Sequence, residues 1–173
     1  MTERMLEAVF RALAAGMGLA PDSRQASRSL RRAYTDPAPP AAGPEERVLY
    51  FHMTPDAGAP VAGELSQEQG RRRFFRMEPW KLLLTFYGPG AEEAAWRMRS
   101  RLFLDGAGQP RALLRAAGIF PVPGPAAPML VWEETALRRR ARADLVVDMR
   151  VRVNDEAGDE PGVACLPEIR IHS

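Results

Sequence analysis

The sequence predicts an α+β fold, and three segments carry the prediction. Lys81–Gly88 reads Lys-Leu-Leu-Leu-Thr-Phe-Tyr-Gly, an apolar run of strand length. Ala91–Phe103 follows at once, with apolar residues at helical spacing. Arg142–Val153 then alternates strictly, which is the signature of a half-buried strand. At 173 residues, 46% hydrophobic and 27% charged, the chain has the composition of one globular domain.

Residues 2–15 form the first expected helix. Leu6, Val9, Phe10, Leu13 and Met17 fall on one stripe, and Gly16, Gly18 and Pro21 end it. Ser23–Tyr34 is polar and Arg-rich and reads as a loop with one helical turn. Residues 35–44 hold four prolines, which exclude a helix interior or a central strand and leave an extended connector. Arg47–Met53 is a strand by alternation, and Thr54–Gly63 is a loop. Arg71–Met77 and Trp80–Tyr87 are two further strands, separated by Pro79. In the second, Leu82, Leu84 and Phe86 share one face, and Leu83, Thr85 and Tyr87 share the other. Both faces are apolar enough to predict a central strand covered on both sides.

Gly88-Pro89-Gly90 turns the chain into the helix. There Ala91, Ala95, Met98 and Leu102 form the buried stripe, with Trp96 and Phe103 on its flank. Glu92 and Glu93 precede Arg97, Arg99 and Arg101, an order that suits the helix dipole. Gln109–Ala117 is a short second helix closed by Gly118. Ile119–Leu130, with four prolines, is an extended irregular arm. Trp132–Ala136 is ambiguous, and Arg138–Ala141 is a basic turn or strand start. In Arg142–Val153, Ala143, Leu145, Val147, Met149, Val151 and Val153 face inward. Asn154–Pro161 is an acidic turn, and Val163–Ile171 returns as a last strand in a C-terminal extension, 155–173.

Composition narrows the function. Net charge is only +2, so nothing in the whole-chain balance calls for nucleic acid. Lys81 is the single lysine among 24 basic residues, leaving 23 arginines. That bias fits a GC-rich genome, or arginine forks pairing across interfaces. Cys165 is alone, so it has no intrachain disulfide and no cysteine metal cluster. The opening Met-Thr-Glu-Arg is not a secretory-signal pattern, and no apolar run approaches the roughly 20 residues of a membrane helix. The expected compartment during synthesis is the cytoplasm.

No P-loop, dinucleotide fingerprint or zinc signature is present. His52 and His172 are far apart in sequence and read as structural or surface residues. Asp144 and Asp148 lie about 13 Å apart along one strand, too far to share a metal ion, and are expected to pair with arginines across strands. Gly88-Pro89-Gly90 is a structural turn, because Glu92 and Glu93 would repel phosphate. The clusters Arg71–Arg73 and Arg138–Arg140 read as solvated surface. The chain is therefore read as not an enzyme, with no cofactor and no metal site. Trp96, set among glutamates and arginines, has the character of an interface anchor.

Several of these segments, taken in order, resemble the tail terminator proteins of the neck of long-tailed bacteriophages. They are Trp-Lys-Leu-Leu-Leu-Thr-Phe-Tyr-Gly-Pro-Gly-Ala (Trp80–Ala91), Ala-Trp-Arg-Met-Arg-Ser-Arg-Leu (Ala95–Leu102) and Leu-Leu-Arg-Ala-Ala-Gly-Ile-Phe-Pro-Val-Pro (Leu113–Pro123). The last is Arg-Arg-Arg-Ala-Arg-Ala-Asp-Leu-Val-Val-Asp-Met-Arg-Val (Arg138–Val151). The similarity covers most of Tyr50–Val153 and rests on order and spacing. The proline-rich arm Pro121–Pro128 and the extension after Asn154 depart from the family pattern.

The resemblance implies a mixed, mainly antiparallel sheet with helices packed on one face. It implies a structural virion protein whose homohexameric ring caps the tail tube and joins tail to neck. Its partners would be further copies of itself, the tail tube protein, a neck or stopper protein and the sheath. No membrane is involved, and DNA passes only as cargo. Trp96, Arg97, Arg138, Arg139, Arg140, Pro121 and Pro123 are the interface residues this reading selects, and the arms Ala38–Pro44 and Pro121–Pro128 would reach adjacent subunits. Another connector component (a stopper or head-completion protein) and a DNA-contacting module are the alternatives.

Overall fold

The computed structural model describes residues 2–35, 39, 43, 45–58, 62–68, 71–124, 127–135 and 138–154. Over these described residues the fold is α+β: one mixed sheet of seven strands with helices on one face.

Helix α1 spans Glu3–Met17. The Thr2 hydroxyl accepts from the Met5 amide and caps its start. Gly18, at φ 75°, ends it in the left-handed conformation, and the Leu19 amide donates to the Ala14 carbonyl. The helix therefore runs two residues past the expected Ala15. Gly16 lies inside the helix beneath Met98, where a Cβ would meet the Met98 sulfur at 2.5 Å, so the close approach requires glycine.

Helix α2, Arg24–Ser29, is capped by Ser23 and leads into β1, Leu30–Arg32. The β1 strand was not legible in the Arg-rich loop, since three residues with one apolar member set no period. It pairs parallel to β2, Val48–Pro55, whereas every other pairing among the described strands is antiparallel.

Strand β3, Ala62–Glu68, begins in the last two residues of the expected loop and continues through a stretch to which the sequence reading assigned no element. It pairs with β4, which runs unbroken over Arg71–Tyr87. Pro79 does not interrupt β4, contrary to the sequence reading. Its carbonyl accepts from the Asp56 amide, so its backbone faces the β2 side of the strand. There β2 ends at the pair Pro55↔Trp80, and β3 begins at Ala62↔Met77. The Asp56 amide still bonds the Pro79 carbonyl, so the missing N–H removes only the reciprocal bond, at the point where β2 ends and β3 has not begun.

Helix α3 covers Ala91–Phe103, and α4 covers Pro110–Ala116. Strands β5, Ile119–Pro121, and β6, Met129–Thr135, both pair with β7, Arg138–Asn154. The irregular arm is therefore largely strand at its two ends. Strand order is β1-β2-β4-β7-β5, with β3 also on β4 and β6 also on β7. The central ladder joins β4 to β7 from Phe75↔Asn154 to Tyr87↔Arg142.

Helices α1, α3 and α4 pack on the face formed by Leu82, Leu84, Phe86, Ala143, Leu145 and Val147. Each fully buried leucine there contributes roughly 1.5–3 kcal/mol. The other face carries Tyr50, His52, Leu83, Thr85 and Tyr87, all half-buried, and Val146, which is exposed. Among the described residues no helix covers it, so β4 is not covered on both sides as its apolar pattern suggested. Aromatic and ion-pair contacts fill that role. Tyr50 meets Tyr87 edge-on at 5.6 Å, and Arg31 bonds both the Tyr50 hydroxyl and Glu46.

Most of the connector 35–44, and the acidic turn and last strand within 155–173, lie outside the described residues.

Candidate functional site

Helix α3 sets the geometry of the surface. Its buried residues are Ala91, Ala95, Met98 and Leu102, which leave two flanks. One flank carries Trp96, 42% exposed, with the Arg99 guanidinium 5.7 Å from its ring. Arg99 also donates to the Gly124 carbonyl, which ties this flank to the segment leaving β5. Pro121 is buried in β5, opposite Met149, whereas Pro123 is exposed just beyond it. Trp96 and the Pro121–Pro123 segment are thus brought to one side of the molecule through Arg99.

Arg97 lies on the other flank. It pairs with Glu93 at 2.5 Å and lines a shallow cavity with Arg47, Tyr87 and Met17. It is therefore not part of the Trp96 surface. Gly88 and Gly90 form the turn at the head of α3. The Gly88 amide donates to the Ala141 carbonyl, and Glu92 and Glu93 occupy the first helical turn.

Arg138, Arg139 and Arg140 begin β7 and extend past the last β4 pair, Tyr87↔Arg142. Their register partners are Thr135, Glu134 and Glu133 of β6. Their backbone lies at one end of the sheet, away from the Pro121–Pro123 segment.

Strand β6 adds residues that sequence reasoning did not select. Leu130 and Trp132 stand opposite Ala143 and Ala141, hence on the helix-bearing face, and are 41% and 54% exposed. Met129, on the opposite face, is 61% exposed. No described strand pairs with the outer edge of β6. The signal was available in the apolar run Met129–Trp132, but its proline-rich approach obscured a strand.

The remaining polar groups form local pairs. Asp144 accepts from Arg142 at 2.6 Å along its own strand, not across strands as expected. Lys81 is opposite Asp148 in register but reaches Asp56 at 3.1 Å. His52 packs edge-on to Tyr34 at 4.9 Å, and its buried Nδ1 has no hydrogen-bond partner among the described residues. Burial, and then the nearby Arg32 charge, hold its pKa below the ordinary histidine value. Among the described residues no group of three His, Cys, Asp or Glu could hold a metal ion, and no helix is long and apolar enough to cross a membrane. No family model and no curated protein matches the chain.

Proposed function

We propose that this protein is a structural virion-assembly protein: a tail terminator that closes into a homohexameric ring, caps the tail tube and joins it to the neck. The observation that carries the reading is the outer edge of β6, which no described strand pairs with. Leu130 and Trp132 are exposed there, on the sheet face that also carries α3 and its exposed Trp96. Large apolar side chains on an unpaired edge strand are a self-association hazard in a monomer and the ordinary material of a subunit interface. The ordered motifs that resemble tail terminators supply the kind of assembly. In this reading the protein is not an enzyme, works in the virion neck, and takes a second copy of itself against β6. Tube and neck proteins bind the two faces of the ring.

Native mass spectrometry, alone and with tube protein, tests it. The wild-type chain is expected as a hexamer. The double variant Trp96→Ala, Trp132→Lys is expected as a folded monomer with unchanged circular dichroism. A wild-type monomer at every concentration, even with tube protein present, would overturn the ring. Co-purification with portal and adaptor in place of tube would move the protein to a stopper or head-completion position.

A further inference from the structure

Residues 22–34 hold four arginines, Arg24, Arg28, Arg31 and Arg32, against a single acid, Asp22. The whole-chain balance of +2 hides this local excess. Helix α2 carries Arg24 and Arg28, and β1, at one end of the strand order, carries Arg31 and Arg32. Every residue of this stretch is among those described.

Three of the four arginines are uncommitted. Arg31 is held by the Tyr50 hydroxyl, Glu46 and the Arg28 carbonyl. Arg24, Arg28 and Arg32 are exposed, and among the described residues none of them pairs with a carboxylate. Arginines elsewhere do: Arg11, Arg76, Arg97, Arg111 and Arg142 each hold an acid within 3.1 Å. The Arg32 charge is felt by His52, whose pKa is lowered by burial and then by this guanidinium.

The chemistry around these arginines suits phosphate better than protein. A protein interface has an apolar core inside a polar rim. Here the apolar residues between the arginines, Ala26 and Leu30, are buried, while Gln25 and Ser27 are exposed. Arg, Ser and Gln are side chains that contact the phosphates and sugars of DNA. Single strands are held by bases stacked on aromatic rings, and no aromatic lies between Arg24 and Arg32. Tyr34, beyond them, stands edge-on to His52. Arg24 and Arg28 are one helical turn apart, about 6 Å along the axis. Each strand of a duplex carries about one charge per 3.4 Å, so each guanidinium can take its own phosphate. The guanidinium fork also fits phosphate oxygens in pairs.

We propose that Arg24, Arg28 and Arg32 form a binding surface for the phosphate backbone of double-stranded DNA, one that does not read its sequence. This goes beyond the ring reading and does not depend on it, because one subunit supplies the whole surface. The surface is also separate from the one assigned to a second copy: β1 ends the strand order on the β2 side, whereas β6 pairs with β7.

Fluorescence anisotropy of the full chain with a short labelled duplex of mixed sequence, over a series of salt concentrations, tests this. The slope of log K against log salt is expected at about −2.7 per engaged subunit, from about −0.9 for each of three phosphates. Arg24→Gln, Arg28→Gln and Arg32→Gln together should weaken binding about tenfold or more, whereas Arg4→Gln with Arg11→Gln should leave it unchanged. Saturating duplex should raise the His52 pKa in an NMR titration, because phosphate offsets the Arg32 charge. No binding at low salt, equal binding by the triple variant, or an unmoved His52 pKa would overturn the proposal. Poly-glutamate that displaces the duplex as readily as unlabelled duplex does would overturn it in favour of an acidic protein partner. A changed subunit number for the triple variant in native mass spectrometry would overturn it in favour of a contact between copies. Lost DNA binding with an unchanged subunit number supports it, whatever that number is.

Discussion

Gly88 and Gly90 flank Pro89 at the head of α3, and alanine substitutions there separate two physical costs. Both are left-handed, at φ 93° and 75°. An L-residue in that region costs roughly 1–2 kcal/mol. Around Gly90 an added Cβ meets nothing within 4 Å, so Gly90→Ala should lose about 1–2 kcal/mol. Around Gly88 the same atom would lie 2.5 Å from the Glu46 carbonyl oxygen and 3.3 Å from the Arg47 Cα. Both are backbone atoms, so no side-chain rotamer relieves the overlap. Overpacking of that kind adds about 1–3 kcal/mol. Gly88→Ala should therefore lose about 2–5 kcal/mol in total. At about 2–4 °C per kcal/mol for a chain of this size, its Tm should fall by roughly 4–20 °C. Urea titration and thermal melts followed by circular dichroism read both variants. Equal losses for the two would refute the argument that close approach of the Glu46 backbone, and not φ alone, requires glycine at position 88.

Two further changes follow from single contacts. The Arg101 guanidinium donates to the Gly16 carbonyl at 2.8 Å, in the last turn of α1. Arg101→Ala should cost about 1–2 kcal/mol in urea unfolding, and Arg101→Lys should recover part of it. The folded-state pKa of His52 is lowered, so the unfolded chain takes up its proton first as pH falls. The wild type should lose stability as pH drops below about 6.5 toward the folded-state pKa, and His52→Gln should lose less over the same window. Arg32→Ala should raise the His52 pKa in an NMR titration, since it removes a nearby positive charge.

Helix α3 and the core half of β7 were legible because each keeps a full period over many residues. Ala91, Ala95, Met98 and Leu102 are all buried, as are Ala143 through Val151 at every second position. Short or polar pieces were not legible. Strand β1 has one apolar residue, and β3 is a polar run made a strand by its partner on β4. Pro79 misled because proline's effect depends on which side of the strand its nitrogen faces, and a sequence does not state that. For the candidate surface, Trp96 stood out through its charged neighbours. Leu130 and Trp132 did not, since their exposure depends on β6 being an edge strand. Arg97 and Arg138–Arg140 were grouped with Trp96 by charge, yet the fold sends them to another flank and another end.

The long ladder between β4 and β7 also shapes how the chain reaches its fold. Its paired residues are 55 to 79 positions apart in sequence. The two outer hairpins, β3 with β4 and β6 with β7, each join strands separated by two residues and form locally on a microsecond scale. The central ladder must instead wait for the intervening helices to close a long loop, and contacts of that separation slow folding. Until it zips, Leu82, Leu84, Leu145 and Val147 lack their shared layer. The chain then exists as two hairpin halves with exposed apolar strands, the state in which it is most open to aggregation or to exchange of halves between copies.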